Sequence, residues 1–242
     1  MSATAFISDI HGNLPALQAV LADIAGQGVS EIICLGDVVG YGGRPAECVD
    51  LLRERRIPCL KGNHDAAVSD PAELEAAGSE AMAFMWRWTQ DALGQDHLRW
   101  LAELPMVLDR PHFQAVHAAL HQPQDWNYVL TAADAALHFV HQVRPLCFVG
   151  HTHRPAFWVA GEESARDITS LETLDMNRRQ LVNVGSVGQP RDRDERACYL
   201  LHRPAQSDVR WRRVPYDIAA AQHAIEDAGL PVRFAERLRM GR

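Results

Sequence analysis

The tetrapeptide Gly62-Asn63-His64-Asp65 is the feature that most restricts how this chain can fold. It follows a short apolar run at residues 57–60, which predicts a strand, and it precedes a helical pattern. The motif therefore lies at a turn between a strand and a helix. Because Gly-Asn is also ordinary turn chemistry, this motif alone does not distinguish a functional site from a plain turn. The distinction depends on four further polar clusters, each at the end of a predicted strand.

Strands and helices alternate in the first quarter of the chain. Strands are predicted at residues 3–8, 31–35 and 57–60, and helices at residues 14–24 and 46–55. This order is typical of an α/β domain with parallel strands. In such domains, functional groups lie beyond the carboxyl ends of the strands.

The rest of the chain continues with mixed elements. Residues 131–142 and the segment from Asp217 onward predict helices, the latter broken at residues 229–231, and residues 162–177 predict a loop or hairpin. The C-terminal arginines are expected to form a solvated helix face. Further strands are predicted at residues 113–116, 146–149, 157–160, 181–184, 197–202 and 209–214, the last two as an antiparallel pair.

The polar clusters supply carboxylates, imidazoles and one amide. In an extended segment, residues two apart project to the same side, so Asp9 and His11 can reach one point, as can His151 and His153. The candidate ligands are Asp9, His11, Asp37, Asn63, His117, His151 and His153. This set contains no thiolate and suits Mn, Fe or Zn. It is too large for one tetrahedral ion and suits two ions that share a carboxylate, an arrangement that activates water and stabilises displacement at phosphorus.

Composition limits the classes of function. The chain has 242 residues, 47% of them hydrophobic, enough for one large domain or two small ones. The net charge of -7 disfavours general nucleic-acid binding, but allows a small phosphorylated substrate held by metal ions. The sequence shows neither a signal peptide nor an apolar run long enough to span a membrane. Its five cysteines are spread without a C-x-x-C motif, which favours buried thiols in a cytoplasmic protein.

Residues 66–105 predict a helical segment that carries Trp86, Trp88 and Trp100. An apolar helix face packed on the core explains these residues most simply. The alternatives are a cap over the site or a contact in a homo-oligomer.

The order of the motifs resembles the calcineurin-like metallophosphoesterase superfamily. The resembling motifs are Asp-x-His, Gly-Asp, Gly-Asn-His-Asp, a lone His and Gly-His-Thr-His, from Asp9 onward, and the resemblance extends to Arg191. Residues 183–191 also resemble the small bacterial, phosphodiesterase-like branch. The resemblance implies an α/β fold with mixed sheets, namely a four-layer α-β-β-α sandwich, here as a single domain over residues 1–242 with a helical insertion at about residues 66–105.

The resemblance also implies residue roles. Asp9, His11 and His153 would bind the first metal ion, Asn63, His117 and His151 the second, and Asp37 would bridge them. His64 would stabilise the transferring phosphoryl group or protonate the leaving oxygen, and Asp65 would orient His64. The implied cofactors are two divalent or trivalent ions, with Mn or Fe favoured over Zn.

The sequence departs from the superfamily pattern at several positions. The protein-phosphatase branch has Gly-Asp-x-x-Asp-Arg-Gly, whereas Gly40 and Tyr41 replace the second Asp and the phosphate-binding Arg here. His117 is followed by Ala118, where Gly is usual. Three arginines near site motifs are candidates for holding the substrate phosphate: Arg44, Arg154 and Arg191.

The leading prediction is therefore a cytoplasmic dinuclear-metal phosphoesterase acting on a phosphodiester, a phosphomonoester or a nucleotide. The alternatives are a Ser/Thr protein-phosphatase-like monoesterase and a non-catalytic scaffold of the same fold. A diester is favoured because it carries one negative charge and has less need of the missing arginine.

Overall fold

Two mixed five-stranded sheets form the centre of the protein. The computed structural model describes residues 3–75, 78–166 and 170–242. In one sheet the strand order is β2-β1-β9-β10-β7, and in the other it is β3-β4-β5-β8-β6. The strands are β1 Ala3–Ile7, β2 Val29–Cys34, β3 Val107–Asp109, β4 Phe113–Val116, β5 Leu146–Val149, β6 Ala156–Val159, β7 Leu171–Thr173, β8 Gln180–Asn183, β9 Ala197–Arg203 and β10 Asp208–Val214.

Each sheet combines parallel and antiparallel neighbours. In the first sheet β1 pairs parallel with β2 and antiparallel with β9. In the second sheet β5 pairs parallel with both β4 and β8, while the edge strands β3 and β6 run antiparallel to their partners. The parallel strands β1, β2, β4 and β5 supply the carboxyl ends after which the predicted site residues follow.

The helices cover the outer faces of the two sheets. They are α1 Leu14–Ala25, α2 Pro45–Glu54, α3 Asn63–Ser69, α4 Pro71–Glu75, α5 Glu80–Ala92, α6 Gln95–Glu103, α7 Ala132–His141, α8 Ile218–Asp227 and α9 Val232–Met240. Leu17 of α1 and Leu52 of α2 pack with Ile7 and Tyr199 of the first sheet. Phe139 of α7 packs against the outer face of the second sheet.

The inner faces of the sheets meet in an aromatic core. The rings of Phe6 and Phe148, one from each sheet, stack with 4.0 Å between their centroids. Val182 and Trp211 belong to the same buried cluster. Helices outside two face-to-face sheets make the predicted four-layer α-β-β-α sandwich, and the predicted fold class is confirmed.

Several predicted elements differ from the structure. Residues 57–60 form one isolated bridge, between Cys59 and Cys34, instead of a full strand. Pro58 has no backbone N–H and cannot donate a hydrogen bond to a neighbouring strand, which favours a single bridge over a full strand. The stretch predicted as loop or hairpin contains the short strand β7, although residues 167–169 within it lie outside the described residues. The helical segment consists of several helices and begins at Asn63, so the opening motif starts a helix.

None of the helices in the described part of the chain is both long enough and apolar enough to cross a membrane.

Candidate metal centre

The seven predicted ligands meet at one edge of the two sheets. Asp9 and His11 follow β1, Asp37 follows β2, and His117 comes directly after β4. His151 and His153 follow β5, and Asn63 is the first residue of α3. The six carboxylate and imidazole residues are at most 5% exposed. The polar residues at the predicted strand ends are therefore neighbours in space.

The backbone at this edge is left-handed, not extended. Asp9, His11, Asp37, His151 and His153 have φ values of 53°, 52°, 53°, 65° and 59°. L-residues rarely adopt such φ values, and each costs on the order of 1–3 kcal/mol unless the surroundings hold it. The prediction of an extended backbone for the Asp9/His11 and His151/His153 pairs is therefore wrong. The side chains of each pair nevertheless point toward the site. Left-handed residues fold the chain back sharply beyond each strand and turn the side chains inward.

One group of donors comprises Asp9, His11, Asp37 and His153. Oδ1 of Asp9 lies 3.3 Å from Nε2 of His153 and 3.9 Å from Nε2 of His11. Oδ2 of Asp37 lies 3.6 Å from Nε2 of His11. Donors bound at about 2.0–2.2 Å to one ion are separated by distances of roughly this size. The four groups fit a single metal position.

A second group comprises Asp37, His117 and His151. The same atom, Oδ2 of Asp37, lies 3.4 Å from Nε2 of His117. Oδ1 of Asn63 lies 3.3 Å from that nitrogen, which adds an amide oxygen to this group. Asp37 belongs to both groups, so its carboxylate lies between two clusters of donors.

The hydrogen bonds of the histidines show that the donor set suits cations. The Nδ1 atoms of His11 and His153 lie 3.0 Å and 2.6 Å from the carbonyl oxygens of Val39 and Gln189. Because a carbonyl only accepts, each Nδ1 carries the hydrogen and each Nε2 presents a lone pair. Yet the two Nε2 atoms are only 3.0 Å apart. Two lone pairs at this distance repel, and a metal ion between them relieves the repulsion.

Three imidazoles of the site are in the protonation state that binds cations, whereas at His117 burial is outweighed by the negative charge of Asp37, which raises the pKa of His117 to about 9. Burial lowers the pKa of His11 and His153 well below the usual value, and lowers the pKa of His151 to about 3, so these rings are neutral. Neutral imidazole is the form that binds metal. Burial raises the pKa of Asp9 to about 7, with a further contribution from Asp37. Within residues 3–75, 78–166 and 170–242, the buried Nε2 of His151 also has no hydrogen-bond partner.

His64 lies beside the donors without belonging to either group. Its ring centroid is 4.8 Å from that of His11, and its backbone N–H donates to Oδ1 of Asp37 at 2.8 Å. The indole of Trp86 in α5 donates to Nδ1 of His64 at 3.0 Å. Gly40 allows this packing, because a Cβ at that position would lie 2.5 Å from Nδ1. The tryptophan-bearing helix thus reaches the site, as the cap alternative suggested.

Asp65 has a different position from the one expected. Its carboxylate accepts hydrogen bonds from the backbone N–H groups of Gly62, Asp37, Val38 and Val39, at 3.0, 2.8, 2.9 and 3.3 Å. The expectation that Asp65 orients the His64 ring is not met, since Trp86 provides that contact. Asp65 instead fixes the backbone of the loop that carries Asp37. The glycine at position 62 leaves room for the Asp37 carboxylate, which a Cβ there would meet.

The three candidate arginines lie in different surroundings. Arg44 is exposed and pairs with Glu47 at 3.1 Å. Arg154 is also exposed, and its Nε donates to the carbonyl of Arg191 at 2.8 Å. Arg191 is half-buried, and its guanidinium lies 5.7 Å from the ring centroid of Tyr41. Arg191 approaches the donors through Tyr41, whose ring centroid is only 4.9 Å from that of His11.

Sequence reasoning missed several neighbours of the site. Tyr128 stacks on His151 with 4.0 Å between ring centroids, and Trp126 meets His117 edge-on. Arg237 of α9, expected on a solvated face, is half-buried and lies 5.9 Å from the Tyr41 ring. No short motif marks these residues, and they are distant in sequence from the ligands that they approach. The one sequence feature that indicated a neighbour of the site was the pair of tryptophans in α5, which includes Trp86.

Comparison with known proteins agrees with the geometry. The model of the calcineurin-like phosphoesterase superfamily domain matches residues 3–206. Protein MJ0912 of Methanocaldococcus jannaschii is 36% identical over 247 residues, which cover 100% of this chain and 99% of that protein. Phosphodiesterase YfcE of Escherichia coli K12 is 37% identical over 73 residues, covering 26% of this chain and 40% of that protein.

Solved structures share the architecture. The crystal structure of a metallophosphoesterase from Sphaerobacter thermophilus has a TM-score of 0.89 and 39% identity, and the match covers 100% of this chain and 99% of that one. The protein PH1004 from Pyrococcus horikoshii OT3 has a TM-score of 0.82 with the same coverage, and at 20% identity it supports the fold alone. The buried Asp and His donors, the sandwich of two mixed sheets and the matched family model lead to one conclusion: the chain belongs to the calcineurin-like phosphoesterase superfamily and is a hydrolase of phosphoester bonds.

Proposed function

We propose that the chain is a phosphodiesterase that uses two metal ions bridged by Asp37. This proposal rests on Asp37, which belongs to both donor groups. Its Oδ2 lies 3.6 Å from Nε2 of His11 and 3.4 Å from Nε2 of His117. Asp9, His11 and His153 would hold one ion, and Asn63, His117 and His151 the other. The all-oxygen-and-nitrogen donor set favours Mn or Fe, with Zn as the further candidate. When bound, two such ions activate water and neutralise phosphoryl oxygens during displacement.

His64 would assist the reaction by hydrogen bonding. The indole N–H of Trp86 faces Nδ1, so that nitrogen accepts and the ring hydrogen lies on Nε2. An Nε2–H group beside the metal ligands can donate to a phosphoryl oxygen or to the leaving oxygen. Asp65 would contribute indirectly, by holding the backbone at Asp37.

A diester substrate is favoured over a monoester. Tyr41 replaces the arginine that the protein-phosphatase branch carries, and its ring lies 4.7 Å from that of His64. A singly charged diester requires less positive charge at this position than a monoester dianion does. The partial similarity to phosphodiesterase YfcE of Escherichia coli is in line with this preference.

A substrate panel on Mn²⁺-reconstituted protein tests the proposal. The panel contains bis(p-nitrophenyl) phosphate, p-nitrophenyl phosphate, a cyclic nucleotide, a dinucleoside polyphosphate and a phosphopeptide. We expect a higher kcat/KM for the aryl diester than for the aryl monoester. Preferential turnover of the phosphopeptide would favour the protein-phosphatase alternative, and metal binding without any turnover would favour the non-catalytic scaffold.

We also infer the setting of this activity. All five cysteines are buried free thiols, which suits a reducing, cytoplasmic environment. The chain would act as one domain of residues 1–242, with the helical insertion at about residues 66–105 reaching the site through Trp86. The substrate would be a small phosphorylated molecule, because the acidic net charge disfavours general binding of nucleic acids.

A further inference from the structure

Two arginines converge on one neutral side chain beside the metal ligands. Nη2 of Arg191 donates to Oε1 of Gln189 at 2.8 Å, and Nη1 of Arg237 reaches the same oxygen at 3.3 Å. Both guanidinium groups lie within 6 Å of the Tyr41 ring centroid, at 5.7 and 5.9 Å. Arg191 comes from the loop after β8 and Arg237 from α9. The fold therefore brings two positive charges together from distant parts of the chain.

This arginine pair, Arg191 and Arg237, is linked to the proposed metal ligands through Gln189. The backbone carbonyl of Gln189 accepts the hydrogen bond from Nδ1 of His153, while its side chain meets both arginines. The Tyr41 ring that lies against the pair is 4.9 Å from His11 and 4.7 Å from His64. The pair thus lies on the side of the site that carries His11 and His153, and is separated from these histidines by Gln189 and Tyr41.

The positive charge of the pair is not neutralised by direct ion pairs, although the charge of Arg191 acts on the buried carboxylate of Asp9 and opposes the rise of its pKa. Among the described residues, no ion pair includes Arg191 or Arg237. Nε of Arg191 is buried and has no hydrogen-bond partner among the residues that the structure describes. Burial lowers the pKa of Arg237, and the charge of Arg191 lowers it further. Two half-buried like charges are unfavourable unless an anion compensates them.

We propose that the Arg191–Arg237 pair binds a second phosphoryl group of the substrate, next to the one that is hydrolysed. Two forked guanidinium groups match a phosphate dianion better than they match a neutral group, because each can donate two parallel hydrogen bonds. This inference rests on the proposed phosphodiesterase function and narrows its substrates to phosphodiesters that carry a further phosphate. It also gives α9, which lies outside the matched residues 3–206, a role in specificity.

Binding of two small phosphonates to the metal-loaded protein tests the pair without requiring turnover. The probes are methylphosphonate, with one phosphoryl group, and methylenediphosphonate, with two adjacent ones. Calorimetry on Mn²⁺-loaded protein freed of unbound metal gives both affinities, and metal content is measured after each titration. We expect methylenediphosphonate to bind at least about tenfold more tightly than methylphosphonate to the wild-type protein.

Substitutions separate charge from packing. R237M keeps an apolar stem against Tyr41 but removes the charge, and R191Q removes the other charge. We expect each substitution to weaken the binding of methylenediphosphonate by about tenfold and the binding of methylphosphonate by less than about threefold. R237K, which retains the charge, should lose less than R237M. The matched control is R239Q, on the same helix, because exposed Arg239 bonds to Gln222 and does not touch the pair.

Several outcomes would overturn the proposal. The wild-type protein could bind the two probes with equal affinity. R237M could weaken the binding of both probes by the same factor. R239Q could weaken the binding of methylenediphosphonate as much as R237M does. A change of melting temperature in R237M with unchanged affinities would show that Arg237 only fastens α9. If the protein turned over no phosphoester while the expected affinity pattern held, the proposed function would fail and the anion site would stand.

Discussion

Nε1 of Trp86 donates a hydrogen bond to Nδ1 of His64, with 3.0 Å between the two nitrogens. An indole nitrogen only donates, so this contact fixes the tautomer of His64 with its hydrogen on Nε2. Burial also lowers the pKa of His64 to about 4, which keeps the ring neutral near pH 7. A neutral ring with Nε2–H is suited to donate a hydrogen bond to a phosphoryl oxygen. It is less suited to deliver a proton as an imidazolium.

Removing the indole donor should reduce turnover without removing metal. We expect Trp86→Phe to lower kcat by about tenfold, because His64 is then free to place its hydrogen on either nitrogen. The measurements are kcat with an aryl diester and metal content by elemental analysis. Trp88→Phe, in the same helix and also half-buried, is the control and should stay within about twofold. An equal effect of the two substitutions would exclude a specific role for the Trp86 contact.

Two substitutions at His64 distinguish hydrogen bonding from proton transfer. We expect His64→Ala to retain both metal ions and to lose about 100- to 10,000-fold in kcat. His64→Gln retains an N–H donor on a side chain that cannot transfer a proton in this pH range. It should therefore be at least about tenfold more active than His64→Ala if the group acts as a donor. Equal activity of the two variants would favour proton transfer, and loss of metal would make His64 a ligand.

The fold and the donors of the site could be predicted because they depend on local patterns. Apolar runs end at acidic or histidine residues, and parallel strands bring such ends together. The role of Asp65 could not be predicted in this way. Its sequence position beside His64 suggested a side-chain contact, but as the third residue of α3 it instead meets the backbone N–H groups of the β2–α2 loop.

Contacts between distant segments were also beyond the sequence argument. Arg237 follows helical spacing at the end of the chain, where an arginine is normally solvated. It reaches Gln189, whose carbonyl meets His153, only because α8 and α9 pack on Tyr41. Left-handed backbone at Asp9, His11 and Asp37 is equally hidden, since no glycine marks these positions.

Metal stoichiometry tests the bridging role of Asp37. We expect roughly two equivalents of Mn²⁺ in the wild-type protein, because two donor groups share this carboxylate. Asp37→Ala should lose both ions, whereas Asn63→Ala should retain about one, because Asn63 contacts only the His117 group. Elemental analysis after Mn²⁺ loading and desalting gives these values. A wild-type stoichiometry fixed at one, or equal loss in the two variants, would contradict a shared ligand.

Replacing Asp65 by Asn should destabilise the protein and weaken metal binding together. The Asp65 carboxylate accepts four backbone N–H groups, whereas an amide has one acceptor oxygen and directs its NH₂ group at the remaining donors. We expect a loss of at least about 2 kcal/mol in the free energy of unfolding, the size of a buried donor left unsatisfied. Urea unfolding measures it, and Asp91→Asn at an exposed position of α5 is the control. Unchanged stability with lost turnover would instead point to direct participation of Asp65 in catalysis.

Acid should destabilise the protein partly through His138, which is outside the metal centre. His138 is fully buried, and its Nδ1 accepts a hydrogen bond from the backbone N–H of Leu120 at 3.3 Å. Its Nε2 has no hydrogen-bond partner in the described part of the chain. Burial, together with the charges of His121 and His141, lowers the pKa of His138 from 6.5 to about 3. Between these values the unfolded chain binds a proton that the folded chain does not. Stability is therefore complete above pH 6.5 and falls as the pH decreases.

Urea unfolding of the wild-type protein and of His138→Gln at pH 7.5 and pH 5.0 measures this contribution. At pH 5.0 the lowered pKa of His138 corresponds to about 2 kcal/mol of lost stability. We expect the decrease between the two pH values to be smaller by about this amount in His138→Gln, because contributions from the buried metal ligands cancel between the two proteins. His223→Gln, at an exposed position of α8, is the control, because His223 is not among the groups that act on His138. Equal decreases in wild type and His138→Gln would show that water or a partner group reaches His138 when it is protonated.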